Sequence, residues 1–197
     1  MPTIDTIPPH RNRRSIWPAI IVLLVPALTA LVLRAEGRLL ICACGKIQLW
    51  VGDTCSALNS QQLFDPYSFT HILHGFLLFW LIWLVFRKLS PQWQLTLGIV
   101  LEALWEVIEN TDFVINHYRE ETAALGYTGD TVINSLGDMW CAACGFWLAL
   151  KLGWARTLIA FVVVEVVLLF WIRDSLLLQI LMLIHPVDAI KAWQMCP

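Results

Sequence analysis

Long apolar runs alternate with short polar ones along this chain, and the few polar residues inside the runs recur at helical spacing. A hydrocarbon core of about 30 Å needs about 20 mostly apolar residues as helix. Residues 16–33 carry no charge and predict a first span, with Arg11, Arg13 and Arg14 just before it. A signal peptide would show a shorter apolar run and a small-residue cleavage site, so this segment reads as an anchor. Residues 66–86 lack Asp, Glu, Lys and Arg and end at Arg87-Lys88. Residues 93–110 are apolar except for a file of glutamates, residues 131–150 except for Asp138, and residues 154–172 carry Glu165 deep within them. Residues 175–184 are apolar but too short to span, which predicts an interfacial or re-entrant helix. The expected fold is all-α, a polytopic membrane helix bundle. It has about five transmembrane helices and that short C-terminal helix. Residues 1–15 form an N-terminal arm, and residues 16–197 form a single membrane domain.

Basic residues set the expected direction. With the N-terminus in the cytoplasm, the inside segments 1–15, 87–92 and 151–156 hold seven of the 13 Lys and Arg, and the much longer outside segments hold the other six. The topology is therefore N-in with five spans, in a bacterial inner membrane.

Three of the spans carry polar stripes that hydrocarbon would not tolerate without a reason. His71 and His74 lie at i and i+3. Glu102, Glu106 and Glu109 lie at i, i+4 and i+7, and Asp130, Asn134 and Asp138 are spaced by four. Each set occupies one helical face. The predicted topology puts all three stripes in the outer leaflet, with Asp138 about 12 Å deeper than Asp130 at 1.5 Å per residue. They are expected to face one another across a polar cleft open to the outside. Asn110 and Arg119 join them as further cleft residues.

Composition narrows the class. Of 197 residues, 58% are hydrophobic and 14% charged, against about 45–50% and about 25% for a soluble domain. Mean hydropathy is +0.68. A disordered chain and an ordinary cytosolic enzyme are excluded. The formal net charge of −2 offers no basic surface for nucleic acid. The expected partner is the lipid bilayer, together with an envelope lipid or protein.

Five carboxylates and two imidazoles in one cleft cannot all be charged and unpaired. A divalent metal held by His71, His74 and Glu102 is one form of relief, since imidazole and carboxylate suit zinc, manganese or iron. Retained protons are another, and would make Glu106, Glu109, Asp130 and Asp138 candidate catalytic acids and bases. Arg119 or Arg173 reaching in from the rim is a third. The H-x-x-H spacing is not the H-E-x-x-H of zinc proteases. Cys141 and Cys144 are expected to supply small residues for helix packing. Cys42, Cys44 and Cys55 fall in an outside, disulfide-permissive segment. Cys55 could bridge to Cys42 or Cys44, or Cys196 could pair with the thiol left over.

The run Cys44-Gly45, Leu49-Trp50, Asn59-Ser60-Gln61, Tyr67, Phe69, His71 and His74-Gly75-Phe76 resembles uncharacterised protein family 0314, a group of bacterial multi-pass inner-membrane proteins. The likeness continues through Glu102, Trp105-Glu106, Glu109-Asn110, Tyr118-Arg119-Glu120, Gly129-Asp130, Asn134-Ser135 and Asp138. It extends to Arg173-Asp174, Ile184-His185-Pro186 and Ala189-Ile190-Lys191, so that it covers about residues 35–194. The resemblance implies a membrane location and adds no chemistry. A looser likeness joins Asn134, Gly137-Asp138 and Gly145 to VanZ-like membrane proteins, which place His, Glu and an Asp/Asn-Gly pattern on successive spans. The chain departs from them in its second histidine, its outside cysteines and its five-span plan. Two functions are expected of the cleft: hydrolysis or transfer on an envelope or lipid substrate, or a non-enzymatic role in transport, proton or ion binding, or assembly.

Overall fold

A computed structural model describes residues 15–122 and 126–196. Residues 1–14 of the expected N-terminal arm lie outside the described residues. Five long helices lie over the five apolar runs: α1 (Trp17–Ala35), α2 (Ser68–Val85), α3 (Pro91–Glu109), α5 (Val132–Leu152) and α6 (Trp154–Ile172). Three shorter ones, α4 (Asp112–Glu121), α7 (Leu176–Ile184) and α8 (Asp188–Gln194), gather near the end of the bundle where the polar stripes lie. Among the described residues there are no strands, only an isolated bridge between Trp50 and Phe64. Helices α1, α2 and α6 are long and apolar enough to cross a membrane. Helices α3 and α5 have the length, 19 and 21 residues, but their own acidic and amide stripes dilute the apolar character.

Local chemistry sets the helix ends. Ser90, Thr111, Thr131 and Ser175 each accept a bond from a first-turn backbone N–H, as N-cap hydroxyls do. Gly153, at φ 75°, breaks α5 from α6. Outside the spans, the long segment between α1 and α2 folds over the bundle end. Its Leu39 and Leu40 carbonyls accept from Val132 and Ile133, two N–H groups that the first turn of α5 cannot satisfy itself.

The centre of the bundle is the α2–α5 pair, which passes backbone against backbone. A Cβ at Gly75 would stand 2.2 Å from the Ala142 carbonyl oxygen, and one at Gly145 would stand 2.2 Å from that of Ile72. Small residues allow such approach, which membrane helices use in place of a hydrophobic driving force. Below this crossing Phe76, Phe79, Ile82, Phe146, Phe161 and Leu168 form the apolar core. Helix α3 packs across α2, α5 and α1, and α6 packs on α2 and α5. Large side chains such as Leu23, Leu31, Ile159 and Phe170 stay exposed on α1 and α6, as lipid-facing positions would.

The expectation of packing cysteines is corrected in part. Cys141 and Cys144 are free thiols, and Cys144 is exposed. The close contact with α2 is made by Ala142 and Gly145 between and beside them. The remaining cysteines pair as Cys42–Cys44 and Cys55–Cys196, where spacing would join Cys55 to Cys42 or Cys44. The Cys55–Cys196 bond joins the segment before α2 to the segment after α8.

Glu165 has a structural task. Its two carboxylate oxygens accept from the backbone N–H of Leu176 (2.9 Å) and Leu177 (3.3 Å), so a side chain from within α6 caps the start of α7. The chain turns at Arg173 in the left-handed region (φ 56°), so that α7 starts against Glu165 of α6 and packs on α4. Glu165→Ala leaves two orphaned donors and is expected to cost about 1–2 kcal/mol. Thermal unfolding in detergent will read this as a lower midpoint, with Glu165→Gln falling between; an unshifted Ala variant would remove the carboxylate from the account.

Candidate functional site

The hairpin of α2 and α3 and the return of α5 bring the start of α2, the end of α3 and the start of α5 to one end of the bundle. His71 Nδ1 lies 2.7 Å from Glu102 Oε1 and 3.4 Å from Glu106 Oε1. His74 Nδ1 lies 3.1 Å from the same Glu102 oxygen. On the other side of the His71 ring, Nε2 is 3.9 Å from Asp138 Oδ2. The Ser68 hydroxyl donates to Asp138 Oδ1 at 2.9 Å. His71, Glu102, Glu106 and Asp138 are all buried, and Glu106 is wholly so. Helix α3 supplies its glutamates from one face, as their spacing predicts.

Two sets of ligand atoms converge closely: His71, His74 and Glu102, and His71, Glu106 and Glu109, each within 4.8 Å of one another. A tetrahedral site with bonds of about 2.0–2.2 Å has ligand-to-ligand edges of about 3.3–3.6 Å, which the spacings found, from 2.7 Å upward and within 4.8 Å, bracket. Both Glu106 carboxylate oxygens are buried without a hydrogen bond, as is Glu109 Oε2. A buried anion in that condition is costly, and a cation or proton would relieve it. The donor set therefore fits a divalent metal.

A second polar node adjoins the first. The Asn110 amide donates to Asp130 Oδ2 (3.1 Å) and to Ser135 Oγ (3.4 Å), and its Oδ1 accepts from the Asp130 backbone N–H (2.8 Å). The Tyr127 hydroxyl donates to Asp130 Oδ1 at 3.0 Å. Burial pushes the Asp130 carboxyl up to about 6; Asn110 and Tyr127 pull it down, and the nearby charge of Asp65 adds to the rise. Asn134 is buried and leaves its Nδ2 without a partner.

Two cavities flank these nodes. A chamber of about 450 Å³ lies against the segment between α1 and α2 and is lined by Glu109, Asp130, Asn134 and Asp138, and by Tyr67, Tyr118 and Tyr127. A groove of about 240 Å³ runs between α2, α3 and α7, past His74, Glu102 and Trp105 and along Leu77, Leu101, Ile180 and Leu183. His71, Glu109, Tyr118 and Gln179 belong to the walls of both.

Arg119 does not join the cleft, which corrects that expectation. Its guanidinium bonds Asn116 one turn back on α4, and the side chain is exposed. Arg173 is exposed too and bonds the Trp193 carbonyl. Helix α4 turns Arg119 outward, so neither arginine pairs with the acidic groups.

Sequence reasoning missed several residues in and beside the chamber wall. Asp174 accepts from Ser175 N–H and from the amides of Gln179 and Gln194, tying α7 and α8 to the rim; burial holds its carboxyl at about 6. Asp65 accepts from Ser60 and Tyr67 N–H groups and fixes the loop that enters α2. The Asp-Pro pair at 65–66 was a turn signal that could have found it. Ser68, Tyr118 and Tyr127 carry no such signal.

The profile of a family described as "protein of unknown function (DUF2585)" matches residues 33–196. A UPF0314 protein of Novosphingobium aromaticivorans is 42% identical over 169 residues, covering 83% of this chain and 85% of its own length. The UPF0314 proteins of Brucella anthropi (40% over 176 residues, 89% of each chain) and Rhizobium meliloti (42% over 184 residues, 93% of each chain) are similar as well. No solved structure matches. The family match spans the stripes, the caps and both disulfides, and the chain belongs to the DUF2585 family of UPF0314 proteins.

Proposed function

We propose that this is a five-span inner-membrane enzyme, N-terminus in the cytoplasm, that uses a divalent metal to hydrolyse or transfer a group on an envelope substrate at the outer face. The observation that carries the reading is the convergence of His71, His74, Glu102 and Glu106 in a buried cluster whose Glu106 carboxylate accepts no hydrogen bond, directly beneath a chamber large enough for a substrate. In this reading His71, His74 and Glu102 hold the cation, and Glu106 completes or neutralises the set. A bound cation would polarise the bond to be broken and acidify an attacking water or hydroxyl. Glu109 and Asp138 both reach the chamber wall. Glu109, less buried and unbonded at one oxygen, takes the proton of the attacking oxygen. Asp138, oriented by Ser68, returns a proton to the leaving group. Asp130 and Asn134 hold the substrate.

A non-enzymatic proton or ion relay is the second reading. It is favoured by the unbroken file of contacts from His74 through Glu102 and His71 to Asp138.

Purified protein is expected to carry about one equivalent of zinc, manganese or iron, lost in His71→Ala and His74→Ala proteins that still melt cooperatively. Elemental analysis reads this, and absence of any stoichiometric metal would defeat the metal reading. Lipid profiles of a deletion strain complemented with Glu109→Gln or Asp138→Asn separate enzyme from relay: altered envelope chemistry in all of them marks the enzyme, unchanged chemistry the relay.

A further inference from the structure

We infer that the chamber and the groove together bind one single-chain amphiphile, its hydrocarbon tail in the groove and an uncharged, hydroxyl-rich head in the chamber. This names the substrate class of the enzyme proposed above and rests on that reading.

The groove lies between α2, α3 and the short α7, and its walls away from the histidines are Leu77, Leu78, Leu101, Ile180 and Leu183. Such a wall suits an alkyl chain and nothing polar. Its inner end is shared with the chamber at His71, Glu109, Tyr118 and Gln179. A molecule lying in both spaces would therefore place its head-to-tail junction beside the cluster to which the chemistry is assigned.

The chamber defines the head. Among the described lining residues there is no Lys or Arg, while Glu109, Asp130, Asp138 and Asp174 contribute carboxyl groups. Outside the histidine–glutamate cluster, the chamber therefore offers a phosphate or carboxylate head no basic side chain to pair with. Acceptors alone would suit an ammonium group, but the chamber also holds the buried, unpartnered Asn134 amide N–H, which needs an acceptor from the ligand. Buried Asn59 Oδ1 is likewise unpartnered and needs a donor. A group that both donates and accepts at several points is a sugar or polyol. Tyr67, Tyr118 and Tyr127 on the same wall offer aromatic faces on which such a ring packs.

The test uses the full chain in phosphatidylcholine nanodiscs and three photoactivatable dodecyl amphiphiles with a diazirine in the chain. Their heads are glucoside, phosphate and trimethylammonium. The glucoside is expected to label the peptides bearing Leu101 and Leu183 about tenfold more than either charged probe, since mismatched buried polar groups cost about 1.4 kcal/mol or more. Excess non-photoactive dodecyl maltoside is expected to suppress that labelling. Ile180→Trp, which fills the groove from a half-exposed position, is expected to reduce it about fivefold while leaving the melting temperature unchanged. Equal labelling by all three heads, or preference for either charged head, or labelling that maltoside does not compete, would overturn the inference. The readout requires neither metal nor turnover, so a protein that proves metal-free but labels selectively sinks the enzyme reading alone.

Discussion

Replacing Gly75 with leucine will prevent the bundle from assembling. A Cβ there already meets the Ala142 carbonyl oxygen at 2.2 Å, the Phe146 nitrogen at 2.6 Å and the Gly145 carbonyl carbon at 2.9 Å. All three are backbone atoms of α5, so no side chain can rotate aside and the helices must part. Overpacking a core usually costs about 1–3 kcal/mol, and here rigid backbones oppose each other, so at least the top of that range is expected. Gly145→Leu is expected to behave alike, because its Cβ would strike the Ile72 carbonyl. The positions affected lie beside His71 and His74, so any residual folded protein should also lose the histidine–glutamate contacts. Size-exclusion profiles and thermal melts of detergent-solubilised protein measure the effect. Gly126→Ala serves as control, since a Cβ there meets nothing within 4 Å. Wild-type melting in Gly75→Leu would show that the α2–α5 approach is not as close as described.

The second large effect is on pH dependence. Asp130 lies just before α5 and its carboxyl is pushed from 3.8 up to about 6, chiefly by burial. A raised acid binds its proton more tightly in the folded state than in the unfolded one. Its contribution to stability is therefore complete below about pH 4 and lost as pH rises through about 6. The shift corresponds to at most about 3 kcal/mol. Asp174 is displaced to about 6 by the same cause and acts in the same window, so the two must be separated by mutation. Between pH 4 and pH 7 the wild type should lose stability relative to Asp130→Asn, and denaturant melts across that range give the difference directly. A difference that stays flat, or that grows in favour of the wild type as pH rises, would contradict the burial-driven shift.

The polar stripes were readable because periodicity survives translation into three dimensions. His71 and His74 at i, i+3, and Glu102, Glu106 and Glu109 at i, i+4, i+7, had to share faces, and the α2–α3 hairpin had to bring their polar ends together. Residues whose role depends on chain geometry outside the helices were not readable. Arg119 could be placed near the rim from its number, but only α4 decides that it points away. That helix lies outside the five apolar runs because it is polar on average, although Val114 and Ile115 bury one face of it. The cysteine pairing likewise needed the position of α8, since spacing alone offers Cys55 only Cys42 or Cys44 and leaves Cys196 for the remaining thiol, whereas Cys55 bonds Cys196. Helices α3 and α5 show the converse. The acidic and amide residues that mark them as candidate site helices are the same ones that make them poor spans by composition.

The Cys55–Cys196 bond joins residues 141 positions apart, and both cysteines line the chamber. The ribosome releases one half of that wall long before the other. The enclosure is thus finished only after the later segment has been made and joined by thiol oxidation. A host deficient in thiol oxidation should accumulate protein with an unsealed chamber. For the same reason an affinity tag appended after Cys196 would stand at its mouth, so one fused ahead of Trp17 is the better handle for any ligand measurement.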